Sequence, residues 1–371
     1  MTQYDVAIVG AGIAGASLAS ELSSHCSVLL LEREDQPGYH ATGRSAAFWT
    51  ETYGGPQIQP LTTASRAFLE FPDPEFSEHS LLKPRGAINI AKSDQSDLPD
   101  KLIANFKDSG VAMEKWDKAQ ILQAIPQVRA QWTSAVYEPD CCDIDVGGLH
   151  QSYLRDAKRQ GAILQNRARV EAIKWLAGSW RLETTQGEFV ADTVINAAGA
   201  WADEVARMAG VGQIGIEPKR RTMVQLQTNP SSDQDGPLVV ALDGSFYFKP
   251  ESGGSYWLSP HDEIPSEAVD AAPEEIDVAM AIDRFEKILD VEIKSITRKW
   301  AGLRSFAPDR LPVYGYDPDQ NSFFWFAGQG GFGIQTAPAA ARLAQSLFLG
   351  KAPDSMVRHI DASVYRPDRF R

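Results

Sequence analysis

The chain opens with an apolar run over residues 4–9, too short for a helix and apolar on both faces, as a strand inside a parallel sheet must be. A glycine-rich turn follows, then a small-residue helix over 13–22 and a second apolar strand over 27–31 that ends at Glu32. Further on, 97–107 and 117–124 pattern as short amphipathic helices, and Asp145 is placed to cap a helix reaching about 159. Residues 170–190 alternate in three runs broken at 177–179 and 186–187, the pattern of a β-meander. Residues 193–196 form another buried strand that runs into a turn and a helix from Trp201, and 221–227 and 244–259 alternate as antiparallel strands. Over 274–289 the spacing predicts an amphipathic helix covering its partner with Ile276, Met280, Ile288 and Leu289. A last apolar strand, 323–327, enters a second glycine-rich turn and a helix ending near Gly350. Strands of the parallel type thus fall at the start, middle and end, so their domain is expected to be discontinuous, with a second domain assembled from the insertions.

Length and composition add limits. A chain of 371 residues can bury two cores, and 23% charged residues is ordinary for a soluble globular protein. A formal charge of −13 repels a phosphate backbone, which argues against nucleic acid, and gives no basis for docking on an anionic membrane. Cys26, Cys141 and Cys142 form neither a disulfide framework nor a zinc spacing, which fits a reducing compartment. The first residues lack the positive region of a secretory leader, and 6–19 is too short and glycine-rich to span a bilayer, so the cytoplasm is expected. No histidine sits in a metal-ligand spacing, and no metal is expected.

The first turn, Gly10-Ala11-Gly12-Ile13-Ala14-Gly15, has the strand before it and the helix after it that a dinucleotide fingerprint requires. Its glycines serve the tight turn, the approach of a pyrophosphate and the packing of helix on strand; the helix N-terminus then faces the phosphates. Glu32, 22 positions beyond Gly10, is placed to accept from a ribose diol and to repel a 2′-phosphate, which argues against NADP. The turn does not choose between NAD and FAD. The next segment, 38–47, does: small residues and one arginine directly after the acid can thread beneath an extended FAD.

These residues resemble the glycine/D-amino-acid oxidase family of FAD-dependent enzymes, and the likeness recurs along the chain. Residues 196–201 resemble its second FAD segment. Trp300 to Asp309, with Pro312 and Gly315, resembles its Gly-x-Arg…Pro-Asp…Pro…Gly signature, and 328–335 its C-terminal flavin loop. Within the family the chain most resembles D-arginine dehydrogenases, through 37–40, 43–47, 218–221 and 329–331. The resemblance implies an α/β (α+β) fold: a Rossmann-type FAD-binding domain from 1–84, 144–218 and 301–371, beside a mostly antiparallel substrate domain from 85–143 and 219–300. Carried onto this sequence, FAD contacts are implied for Gly10, Gly12, Ile13, Ala14, Gly15, Glu32, Arg33, Thr42, Gly43, Arg44, Ser45, Ala46 and Ala47. Val170, Ala198, Gly199, Trp201, Gly302, Arg304, Gly330, Gly331, Phe332, Gly333, Ile334, Gln335 and Thr336 complete the set. The FAD is expected to be non-covalent, because the cysteine that covalent members carry near Gly302 is missing.

An amino-acid substrate carries a carboxylate, which a planar guanidinium grips with two parallel hydrogen bonds. Arg304 matches the family's anchor for it. Arg221 or its neighbour Arg220, and Tyr247, match further contacts, although Tyr247 is equally suited to the core. Tyr53 is implied as a lid residue and Gln335 as a site residue. Phe48 and Ala87 stand where the D-arginine enzymes have a histidine and a glutamate, so a neutral side chain is expected to be preferred over a basic one. The activity implied is oxidative deamination of a D-amino acid, the handedness resting on the resemblance alone. Residues 255–259 lack the lysine that sarcosine-type oxidases place over the flavin, so the acceptor is expected to be a quinone or other carrier rather than O2. The alternatives are a glycine- or sarcosine-type oxidase, a 2-hydroxy-acid dehydrogenase, and a flavin-binding subunit without chemistry of its own.

Overall fold

The computed structural model describes residues 3–371; Met1 and Thr2, the first positions of the stretch read for a leader, lie outside it. Gln3–Val9 sits at the centre of an eight-stranded sheet, parallel to Val28–Leu31 on one side and to Gly187–Asn196 on the other. Ile163–Gln165 extends the first side and Phe323–Ala327 the second, both in parallel. All five residues of Phe323–Ala327 are buried, as an apolar strand covered on both faces requires. Ile13–Leu22 and Gly333–Leu349 pack on one face through Leu18, Leu22, Ala340 and Leu343, while Trp180, Val205 and Trp325 fill the other.

The third run of the meander and the strand at 193–196 prove to be one element. Gly187–Asn196 pairs antiparallel with Ser179–Thr184 over its first half and parallel with Phe323–Ala327 over its last residues. Asp145 caps Val146–Arg159 as the pattern predicted, its carboxylate accepting from the Gly148 amide.

A nine-stranded sheet, antiparallel apart from one parallel pair, makes the second layer, with strands drawn from 87–138 and 217–306. Its longest pair joins Glu217–Asn229 to Glu292–Phe306. The expected boundary at 300/301 therefore falls inside an unbroken strand. The helix over this sheet is Glu275–Glu286, and its buried face is Asp277, Val278, Ala281 and Phe285. This corrects the predicted face: Ile276 is 65% exposed, and Ile288 and Leu289 are buried beyond the helix end. A small sheet of Phe48–Trp49, Leu82–Pro84 and Cys142–Ile144 is the third. Among the described residues no helix is long and apolar enough to cross a membrane, and no cluster of His, Cys, Asp and Glu could hold a metal ion.

Candidate active site

An open cleft of about 1360 Å³ runs from the glycine turn to the last turn, and a second of about 620 Å³ adjoins it; Ile13, Thr42, Arg44, Gly302 and Gly330 line both. The turn is shaped by hard contacts. Gly10 holds φ +101°, and a Cβ there would stand 2.6 Å from the Ala197 carbonyl; a Cβ on Gly15 would overlap the Gly10 carbonyl. Gly12 is different: a Cβ would meet only Thr42 Oγ1, at 3.2 Å, on the cleft side. The helix that follows has no side-chain cap and no acid in its first turn, so its positive end is left to the cleft, with the Ile13 amide donating to Thr42 Oγ1 (3.0 Å). Ala14 lines the cleft beside it.

Glu32 is buried at the end of the second strand, accepting from the amides of Ala11 (3.0 Å) and Glu34 (2.9 Å). Burial outweighs these bonds and holds its carboxyl above the ordinary range. One end of the cleft is walled by aromatic and cationic faces: the Arg33 guanidinium lies 4.8 Å from the Trp201 ring centre, and the His40 ring lies 4.7 Å from it on a tilt. Val170, Ala198 and Gly199 line the cleft beside them. Arg44 bridges the cleft wall by donating to the carbonyls of Ala271 (2.9 Å) and Ala301 (3.1 Å) and pairing with Asp270.

Not every implied contact reaches the cleft surface. Gly15, Gly43, Ala47, Phe332, Gln335 and Thr336 line neither cleft and support it from behind. The Gly43 amide closes a turn on Gly38 O (2.7 Å), Ala47 packs on the apolar cluster of Ile13 and Trp49, and Thr336 donates back to Phe332 O (2.9 Å). Gln335 is spent on the Thr50–Tyr53 segment: its carbonyl accepts from the Thr50 amide, and its amide donates to Tyr53 O and Thr62 Oγ1. Ser45, Ala46, Gly302, Gly330, Gly331, Gly333 and Ile334 do line the smaller cleft.

Arg304 stands in that smaller cleft. Its Nη1 donates to the Tyr53 hydroxyl (2.6 Å) and its Nη2 to the Tyr247 hydroxyl (3.4 Å), and among the described residues no carboxylate lies within salt-bridge distance. A Cβ on Gly331 would run into the Tyr53 hydroxyl and Arg304 Nη1, so glycine leaves room for their contact. Strand register separates the two neighbouring arginines. Arg221 pairs with Gly302 and faces the cleft with Arg304, whereas Arg220 pairs with Leu303 and turns to Glu274 and Asp277 on the opposite face. Arg221 is 3% exposed; Nε donates to Asp262 O (2.6 Å), Nη2 to Glu263 (3.3 Å), and Nη1 has no partner. Burial first, then the charge of Arg304, lowers its proton affinity.

Phe48 meets both tyrosines edge-on, at 6.0 Å from Tyr53 and 5.9 Å from Tyr247. Ala87 is buried in the apolar cluster of Ala46, Met223 and Tyr247 rather than on the cleft surface. Sequence reasoning missed three residues. Met223 accepts from the Tyr247 hydroxyl (3.0 Å to Sδ) and lines the cleft, and Gln329 lines both clefts with a buried, unpartnered carbonyl. The third, His261, packs edge-on against Tyr247 and bonds Gly244 O (2.7 Å); burial, with Arg221 and Arg304 nearby, depresses it to about 3, so it is neutral at working pH. A single histidine without a spacing partner gave no signal, whereas Gln329 lay inside the 328–335 stretch of the resemblance without being assigned a contact.

A two-layer α/β molecule with a glycine-turn cleft meeting an arginine-lined pocket belongs to the dinucleotide-dependent oxidoreductases in its architecture. Residues 5–347 match the family model DAO, FAD dependent oxidoreductase, and the chain belongs to this family. It is 26% identical to the glycine oxidase of Geobacillus kaustophilus (strain HTA426), over 96% of this chain and 98% of the relative. The crystal structure of that species' glycine oxidase superposes with a TM-score of 0.85 at 23% identity, covering 99% and 98% of the two chains. The L-proline dehydrogenase from P. horikoshii superposes at 0.86 and 22%, with the same coverage. These relatives support the family and not the narrower likeness to D-arginine dehydrogenase.

The cofactor is FAD. Its site fits the group: the acid-free helix end, Gly12 with its cleft side open but for Thr42 Oγ1 and the buried Glu32 are arranged for a diphosphate and a ribose, and no cysteine lines either cleft among the described residues.

Proposed function

We propose that the protein is a dehydrogenase that oxidises a D-amino acid with a neutral, apolar side chain to the imino acid, which water converts to a 2-oxo acid and ammonia. The observation that carries the amino-acid reading is an acid-free guanidinium, Arg304, held between two tyrosine hydroxyls, with the unpartnered Nη1 of Arg221 in the same pocket; the handedness rests on the resemblance. Asp262 and Glu263 answer the charge of Arg221, but Arg304 has no acid of its own, and a carboxylate in the pocket would pair with it while taking up the free Nη1 of Arg221. Bound FAD supplies the acceptor for the substrate's hydride. The chain supplies orientation: the carboxylate on Arg304 fixes the α-carbon relative to the Gly330–Gly331 turn. Phe48, Met223 and Ala87 make the surroundings apolar, and three nearby acids do not relieve this: Glu51 is bonded to Thr63, Glu78 is exposed, and Glu138, across from Ala87, is taken up by Thr50, Glu51 and Thr52. A cationic side chain would be desolvated there without a counter-charge, whereas an apolar one gains about 1.5–3 kcal/mol by burial.

The similarity to glycine oxidase supports a second reading, in which glycine or an N-alkylated glycine is the substrate. Anaerobic mixing of the holoprotein with D-Met, D-Phe, D-Leu, D-Arg, D-Lys, their L-forms, glycine and sarcosine decides between them. Bleaching of the flavin by the neutral D-amino acids with release of ammonia is expected. Bleaching by glycine or sarcosine alone would establish the second reading, preference for the basic pair would overturn the pocket argument, and bleaching by 2-hydroxy acids without ammonia would change the substrate class. A flavin that no substrate bleaches would mark a non-catalytic subunit.

A further inference from the structure

Glu138 ends the strand Trp132–Glu138, directly across from Ala87, and is wholly buried. It forms no salt bridge among the described residues, and its hydrogen bonds all point to one short segment. Oε1 accepts from the Thr50 hydroxyl (2.7 Å) and the Glu51 amide (2.7 Å), and Oε2 accepts from the Thr52 hydroxyl (2.7 Å). A carboxylate is an acceptor only, so three converging donors suit its ionised form. The segment is held from its other side by Gln335, bonded at Thr50 N and Tyr53 O. The next residue in the chain is Tyr53, whose hydroxyl meets Arg304 Nη1 at 2.6 Å.

We propose that Glu138 is a positioning residue: by anchoring Thr50, Glu51 and Thr52 it sets the rim segment that places the Tyr53 hydroxyl on Arg304. The proposal rests on the reading of Arg304 as the carboxylate anchor only in its kinetic consequence; the anchoring itself is independent of substrate. In this conformation Gln335 ties the same segment at both ends, at Thr50 and at Tyr53. One buried side chain thus collects three donors from three successive residues, two on Oε1 and one on Oε2.

The test compares Glu138→Ala with Glu138→Gln in the FAD-loaded protein. Glutamine keeps Oε1 for Thr50 and Glu51, and its amide can donate to a rotated Thr52 hydroxyl. Glu138→Ala should speed amide hydrogen exchange in peptides covering 50–54 while peptides covering 5–22 and the FAD content stay unchanged. KM for the amino-acid substrate should rise roughly tenfold or more, as expected when a hydrogen bond to a charged group is lost, with kcat less affected. Glu138→Gln should restore both readouts to near those of the parent protein. If Glu138→Ala fails to fold, the double variant Thr50→Val/Thr52→Val removes two of the donors and should show the same exchange signature. Unchanged exchange at 50–54 in these variants overturns the proposal. So does a Glu138→Gln as impaired as Glu138→Ala with the loss confined to basic amino acids, which would make Glu138 a counter-charge instead. Turnover absent with every substrate, alongside the expected exchange changes, would count against the functional reading and leave the anchoring intact.

Discussion

Arg304 and Arg221 place two guanidiniums on one wall, yet the acids that balance them, Asp262 and Glu263, lie on the Arg221 side. Replacing Arg304 by alanine therefore removes the anchor without uncovering an acid. Truncating one member of a buried charge pair costs about 2–5 kcal/mol, so kcat/KM should fall by roughly thirtyfold to several thousandfold. FAD content should hold, because the hydrogen bonds of the Arg304 guanidinium go to Tyr53 and Tyr247 and not to the phosphate turn. Loss of FAD, with the surviving holoprotein fully active, would make Arg304 structural. His261 carries a pH prediction. Its folded value near 3 lies below the unfolded 6.5, so between these the unfolded chain binds more protons, and stability is lost as pH falls from about 6.5 toward 3. Glu32 and Glu138, held above the ordinary carboxylate range by burial, act in the opposite sense, but they are present in both proteins compared. His261→Gln should flatten the drop in melting temperature between pH 7 and 5 relative to the parent; identical drops would show that the ring is solvated. Arg304 was legible through its motif, whereas His261 was not, because its chemistry comes from two arginines that approach it only in the fold.

At the scale of elements, the glycine turn separates two roles that the sequence writes with the same letter. Gly10 is fixed by a left-handed φ and by the Ala197 carbonyl, whereas Gly12 has an ordinary φ and an open cleft side. Gly10→Ala should cost about 1–3 kcal/mol from the backbone conformation alone, with the clash in addition. Gly12→Ala should fold normally and bind FAD more weakly. Melting temperature of the apoprotein and FAD titration check both; a Gly10→Ala as stable as the parent would refute the backbone argument. Periodicity found the parallel strands and the helices with caps, because burial on both faces and an Asp before a helix leave local marks. It missed Gln59–Glu70, where threonine and serine obscure the helix, although Leu61, Thr62, Ser65 and Leu69 form its buried face. There Ser65 Oγ accepts from the Ala339 amide one residue beyond Pro338, a helix-to-helix bond that no local pattern announces. On Glu275–Glu286 the hydrophobic letters misled: the buried Asp277 faces inward because Arg220 reaches it, and Ile276 turns out.

At the scale of the whole molecule, the two clefts share Ala41, Thr42, Arg44, Gly302 and Leu303; the turns around them read as contiguous motifs, whereas the pocket residues were reached only through the resemblance, and Met223 and His261 not at all. The larger cleft is lined by short contiguous turns, while the pocket is assembled from Arg221, Tyr247, Arg304 and the rim at Tyr53, each on a different element. The same division bears on the electron acceptor. Reduction of oxygen at a flavin passes through an anion that a nearby uncompensated cation stabilises. The strand Ser255–Ser259 carries no lysine or arginine, and Lys249 on its antiparallel partner is buried between Asp143 (3.0 Å) and Glu251 (2.6 Å), its charge already answered. Arg44 is likewise paired with Asp270. The other cations of the smaller cleft, Arg304 and Arg221, are committed to the substrate's carboxylate in the proposed reaction, and the product carries the same carboxylate until it leaves. Reduced enzyme should therefore react sluggishly with O2 while passing electrons readily to an artificial quinone or dye. Stopped-flow reoxidation in air that keeps pace with turnover would overturn this assignment, and faster reoxidation of the product-free reduced form would identify Arg304 and Arg221 as the charges responsible.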